Sequence, residues 1–80
     1  MSMKTLDEFV QLFAELFDET DVSAFAPDTD FRELDEWSSL IGLSVIAMVD
    51  EEFGVALKAN DFRQVSTISD LYGIISEKLN

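Results

Sequence analysis

Two adjacent serines, Ser38 and Ser39, stand where an irregular acidic stretch gives way to the apolar run Leu40-Ile41-Gly42-Leu43. A serine at the start of a helix can cap it by accepting from a backbone N–H, or can hold its hydroxyl at the positive end of the helix dipole, where an anionic phosphate is favoured. Histidine and cysteine are both absent, which removes the commonest general base, the commonest metal ligand and any thiol of the chain's own. A serine-histidine hydrolase is excluded on that count, and thiol chemistry has to come from an attached group. Asp28-x-Asp30 has the opening spacing of a calcium loop. The central glycine and terminal glutamate that such a loop needs are replaced by Glu33 and Ser39, so calcium ligation is not expected. A catalytic domain built on carboxylates has little support either, because 80 residues offer no evident cleft and no plausible metal set.

The elements that must position these serines are visible in the hydrophobic pattern. Thr5 and Glu8 have capping-box spacing, and Leu6, Phe9, Val10, Phe13, Leu16 and Phe17 then recur at helical intervals. This predicts a first helix over 5–18, with Asp7, Glu8, Gln11 and Glu15 on its solvent face. Over 19–38 the periodicity stops, and Pro27 with the Asp28-Thr29-Asp30 cluster indicates a long loop anchored by Phe25, Phe31 and Leu34. A second helix is expected over 39–53, with Ser38 as N-cap and Gly54 as stop signal. A short helical turn capped by Asn60 or a neighbour follows. A final helix then runs to Leu79 on the stripe Ile68, Leu71, Tyr72, Ile75 and Leu79, opened by Ser66 or Thr67 with Asp70 in capping-box register.

The second helix is the informative one. With residues spaced by about 100°, Val45, Ile46, Val49, Phe53 and the small Gly42 share a core-facing side, and Gly42 is expected to let a neighbouring helix approach. Leu40, Leu43 and Ala47 fall on another side, with Ile41 and Met48 on the flank, so the helix is apolar nearly all round. Either loop residues cover that second face or a partner docks on it.

The chain reads as a single domain over 1–80, without internal repeat, low-complexity tract or interdomain linker. The expected fold class is all-α, a small irregular four-helix bundle of three longer helices and one short one with a long first loop. Its longest apolar run, Val45-Ile46-Ala47-Met48-Val49, is far short of the roughly 20 residues of a membrane span, and no signal peptide opens the chain. With cysteine absent as well, a monomeric, cytoplasmic protein is expected. Seventeen acids against five bases give a formal charge of -12, which repels nucleic acid and anionic membranes and steers basic protein surfaces toward this one.

Glu36-Trp37-Ser38-Ser39-Leu40 resembles the attachment motif of acyl carrier proteins, usually Asp-Ser-Leu at the head of the second helix. The likeness extends over most of the chain. Asp28-Thr29-Asp30-Phe31-Arg32-Glu33-Leu34 is similar to the family's approach to the motif, where Phe31 and Leu34 would seat the loop on the core. Val49-Asp50-Glu51-Glu52-Phe53-Gly54-Val55 looks like the acidic end of the family's second helix, and the position of Phe53 relative to the motif selects Ser39 over Ser38. Ser66-Thr67-Ile68 opening the last helix also resembles the family.

The resemblance implies that a phosphopantetheinyl transferase moves the 4'-phosphopantetheine arm of coenzyme A onto the Ser39 hydroxyl, leaving a phosphodiester and a terminal thiol that holds acyl cargo as a thioester. It implies a carrier rather than an enzyme, serving fatty acid or polyketide biosynthesis by delivering cargo to acyl-loading and acyl-accepting enzymes with basic patches. Docking would use Leu40, Ile41, Leu43 and Ala47, with Asp35, Glu36, Asp50 and Glu51 around them. Cargo would tuck among residues such as Val45, Val49, Phe53 and Ile75. Ser38 stands where the family usually has aspartate, Ile41 and Ser44 are uncharged where carriers of general fatty acid synthesis tend to be acidic, and Trp37 is bulky where a small or aliphatic residue is common. These departures point to a specialised member with dedicated partners. The competing expectation is an unmodified acidic interaction module that docks a basic partner through the second helix; the presence or absence of the arm separates the two.

Overall fold

The computed structural model describes residues 4–79, with four α-helices: α1 Leu6–Ala14, α2 Ser39–Phe53, α3 Ala59–Arg63 and α4 Ile68–Leu79. It is the small all-helical bundle expected from the sequence, with the long segment before α2 folded against the helices.

Each longer helix begins where its local chemistry says it should. Thr5 caps α1: its Oγ1 accepts from the Glu8 N–H at 3.2 Å, and the Glu8 carboxylate accepts from the Thr5 N–H at 2.8 Å. Ser38 caps α2 by accepting from the Ile41 N–H at 3.3 Å. Thr67 and Asp70 form the reciprocal pair at the start of α4, at 3.0 and 3.2 Å. Further N–H groups of that first turn are met by the long loop, Ile68 donating to the Thr29 carbonyl at 3.2 Å and Ser69 to that of Pro27 at 2.8 Å. At its far end α2 stops at Gly54, whose φ of 68° puts it in the left-handed region that glycine enters without a Cβ penalty.

Three local expectations are corrected. The first α-helix ends at Ala14 rather than 18, because Leu16 and Phe17 donate to the carbonyls three residues back, Phe13 and Ala14, and tighten the chain into a turn. Phe17 still reaches the core. Asn60 lies inside α3; the Lys58 N–H donates to the Asp61 carboxylate at 2.9 Å at its start. The neighbour of Gly42 is the Trp37 ring, which a Cβ built there would meet at 3.8 Å, an ordinary contact, and no second helix needs the glycine.

The 19–38 segment is less irregular than its sequence suggests. It contains two single turns of 3-10 helix, Val22–Ala24 and Phe31–Glu33, begun by Asp21 and Asp30, whose carboxylates accept from the N–H groups of Ser23 and Arg32. Phe25 and Phe31 anchor it in the core as expected, and Leu34 is half-buried against it.

The core is aromatic. All nine aromatic side chains belong to one connected set of ring contacts, from Tyr72 and Phe53 on Phe9, through Phe13, to Phe17, Phe25, Phe31, Trp37 and Phe62. Rings of this size each remove about 150–250 Å² from water, and edge-to-face or offset pairs add to that. Phe13, at the centre, touches Phe9, Phe17, Phe25, Phe31 and Trp37, and so joins α1 to the loop and to the residue just before the serines.

Candidate functional site

Ser39 is the first residue of α2 and is exposed. The two serines divide the two possible roles: Ser38 points its hydroxyl back at the helix as the cap, and Ser39 sits one residue on, in the first turn. With the Ile41 N–H taken by Ser38 Oγ and the Gly42 N–H by the Ser38 carbonyl, the N–H groups of Ser39 and Leu40 find no protein acceptor among the described residues. An exposed hydroxyl beside free N–H donors at the positive end of a fifteen-residue helix suits an anionic phosphate ester.

Trp37 holds this helix start on the core. Its ring lies parallel to Phe13 at 6.3 Å and meets Phe31 at 4.8 Å and Phe62 at 5.9 Å. The bulk that distinguishes this position thus packs the serines' approach against α1, the loop and α3 together.

On α2, Leu40 and Leu43 are 73% and 63% exposed and Ala47 is exposed, while Val45 and Val49 are fully buried and Met48 nearly so. Ile41 is half-buried. Of the two possibilities left by the sequence, the loop does not cover the second face. Asp35, Asp50 and Glu51 are exposed near or along the same helix. Val45, Val49 and Ile75 are fully buried and Phe53 partly so, all within one packed core.

Glu36 has a role that the sequence does not show. Its carboxylate accepts from the Asp18 N–H at 2.9 Å, the Glu19 N–H at 3.1 Å and the Thr20 hydroxyl at 2.7 Å, tying the segment before the serines to the one that follows α1. The Thr20 hydroxyl, then the backbone N–H groups of Glu19, Asp18 and Thr20, hold the Glu36 carboxyl below the usual carboxylate range against the opposing effect of desolvation. No local signal announces contacts across 16 to 18 residues, and an isolated glutamate in an acidic loop reads as solvated charge.

An open cleft of about 550 Å³ lies alongside, lined by Glu19, Thr20, Asp21, Glu33, Leu34, Asp35 and Glu36. Among the described residues no group of three acids is placed to hold a metal ion. Asp30 of the sequence's calcium-like spacing instead begins a 3-10 turn.

A family model described as "Phosphopantetheine attachment site" matches residues 7–75. Searches of the curated proteins and of the solved structures returned no match. The matched stretch spans α1 to α4, and the chain belongs to the phosphopantetheine attachment family, the carrier domains of the acyl carrier protein type. Its prosthetic group is 4'-phosphopantetheine, held covalently, and such domains are carriers rather than catalysts. Modification and use of the arm imply contact with a modifying enzyme and with enzymes that handle the cargo. Among the described residues no helix is long and apolar enough to cross a membrane.

Proposed function

We propose that the chain carries acyl groups as thioesters on an arm attached to Ser39 and delivers them to partner enzymes. The observation that carries this reading is the exposed Ser39 in the first turn of α2, beside the capping Ser38, within the stretch that matches the family. Attachment joins Ser39 Oγ to the phosphorus of the arm as the bond between the two phosphates of coenzyme A breaks; adenosine 3',5'-bisphosphate leaves and the hydroxyl proton passes to the transferase. The N–H groups of Ser39 and Leu40, without a protein acceptor among the described residues, and the helix dipole would favour the anionic phosphodiester there. When bound, the arm supplies a terminal thiol, which the chain itself lacks.

Partners dock on the uncovered apolar side of α2. Leu40, Leu43 and Ala47 give the apolar contact with Ile41 at its edge, and Asp35, Asp50 and Glu51 give charge for a basic rim, while the Glu36 carboxylate is already engaged by Asp18, Glu19 and Thr20. Ser38, Ile41 and Ser44 leave the head of this face without acidic groups, which suits dedicated partners of a specialised pathway.

The test is incubation of the purified chain with coenzyme A and a broad-specificity phosphopantetheinyl transferase, followed by intact mass for wild type, Ser38→Ala and Ser39→Ala. One phosphopantetheine on wild type and Ser38→Ala, with none on Ser39→Ala, is the expected result. Addition that persists in Ser39→Ala moves the site, and no addition with several transferases makes the chain an unmodified docking module.

A further inference from the structure

We infer that Glu36 and Thr20 form a latch that positions Ser39 for modification, a role distinct from contact with the partner. The inference rests on Ser39 being the modified residue.

The latch is built from one carboxylate and three donors. Glu36 stands three residues before Ser39, and its two oxygens collect the N–H groups of Asp18 and Glu19 and the hydroxyl of Thr20, at 2.7 to 3.1 Å. These donors lie just after the tightened turn that ends the first helical segment, where Leu16 and Phe17 donate to Phe13 and Ala14. Between Glu36 and Ser39 come only Trp37, stacked on Phe13 and tilted against Phe31, and the cap Ser38.

The helix start is thus held from two directions. Trp37 fixes it on the core by packing, which resists separation but tolerates sliding of one ring over another. The carboxylate fixes its register along the 18–20 segment that follows α1, because charge-assisted hydrogen bonds are short and directional. A serine that must present its hydroxyl in line with a phosphorus held by another protein depends on register, since small displacements of a reacting group cost large factors in rate.

The two possible roles of Glu36 predict different kinetics. A docking contact changes how tightly the carrier is held, so its loss raises KM and leaves the rate at saturation alone. A positioning residue changes the orientation of an already bound serine, so its loss lowers the single-turnover rate at saturating transferase and leaves KM nearly unchanged. Thr20 separates the two further, because Thr20→Val removes a donor to the carboxylate without altering any charge that a basic partner could feel.

Wild type, Glu36→Ala, Glu36→Gln, Thr20→Val and the Glu36→Ala/Thr20→Val double variant are compared in single-turnover modification with coenzyme A, at a temperature where circular dichroism shows each folded. Glu36→Ala is expected to slow modification by about tenfold, the loss of a charge-assisted hydrogen bond's stabilisation, with KM within about twofold of wild type. Thr20→Val is expected to slow it by about threefold, the double variant no more than Glu36→Ala alone, and Glu36→Gln, which keeps one acceptor oxygen, to recover part of the rate. Amide exchange on the unmodified proteins adds a readout independent of the transferase, with faster exchange at Asp18 and Glu19 in Glu36→Ala.

Unchanged rates in both single variants, or an effect confined to KM, overturns the latch while Ser39 labelling of the wild type stands. Rates that multiply independently in the double variant also overturn it. Failure to label wild type at Ser39 removes the attachment reading and the latch with it.

Discussion

At the residue scale the proposed site turns on a division of labour between neighbouring hydroxyls. Ser38 accepts from the Ile41 N–H and spends its side chain on the helix; Ser39, exposed in the first turn, is the residue proposed to carry the arm. Replacement of a serine N-cap by alanine costs about 0.5–2 kcal/mol, which in a domain of this size lowers the melting temperature by about 4–8 °C per kcal/mol. Ser38→Ala should therefore melt several degrees below wild type and still accept the arm, whereas Ser39→Ala should melt close to wild type and accept none. A Ser39→Ala protein as destabilised as Ser38→Ala would show that the cap had been assigned to the wrong serine. The Ser38 cap was legible in the sequence because the start of a helix follows from local rules: a hydroxyl in extended conformation followed by an apolar run. The latch at Glu36 was not, because its partners come from a segment 16 to 18 residues earlier and no periodicity links them.

At the scale of the element, α2 has two apolar sides with opposite fates. Its spacing marked both from the sequence and made one the core side, but period alone could not say whether the second would be covered, since that depends on how the 19–38 segment drapes. The segment closes instead over α1 through Phe25 and Phe31 and over the start of α4 through the Pro27 and Thr29 carbonyls, leaving Leu40 and Leu43 outside. The same contacts explain what local rules misplaced: Phe17 is drawn into the core through a tightened turn, and Trp37 fills the space beside Gly42. The two sides should respond to substitution in opposite ways. Leu43→Glu leaves a 63% exposed position exposed, so the fold should hold by circular dichroism while transfer to partners weakens. Phe13→Ala empties a fully buried site at the centre of the aromatic set and should cost about 3–5 kcal/mol. That is a large share of the roughly 4–12 kcal/mol expected for a chain this long, so thermal melting followed by circular dichroism should place this variant's midpoint far below that of wild type. Unaltered transfer by a folded Leu43→Glu protein would remove the docking face from α2.

At the scale of the whole molecule the dominant fact is a formal charge of -12 on a body of 33 × 23 × 20 Å. At about 0.01 M salt the screening length is about 30 Å, so acids on opposite ends repel; at about 0.15 M it is about 8 Å and only neighbours do. Salt also weakens favourable pairs. Lys4–Glu52 at 3.5 Å and Lys78–Asp61 at 3.6 Å are partly exposed pairs, and such pairs are worth about 0–1 kcal/mol each, too little to offset relief of repulsion across the surface. The acids that cap helices act locally: Thr5 holds Glu8 below the usual carboxylate range, the Thr67 and Ser66 N–H groups do the same for Asp70, and the Ser23 N–H for Asp21. A carboxyl whose folded pKa is depressed stabilises the fold above its ordinary pKa, and that contribution is lost as pH falls through the folded value. At pH 7 the caps are fully charged and in place, so salt acts there mainly on the unpaired surface. The melting temperature at pH 7 should rise steadily from about 0.01 to 0.15 M sodium chloride, and magnesium chloride at matched ionic strength should trace the same curve if screening alone is responsible. A flat or falling curve would show that the acids are spaced widely enough to cost nothing, and a magnesium curve well above that of sodium would mean that divalent ions bind at particular acids instead of screening all of them.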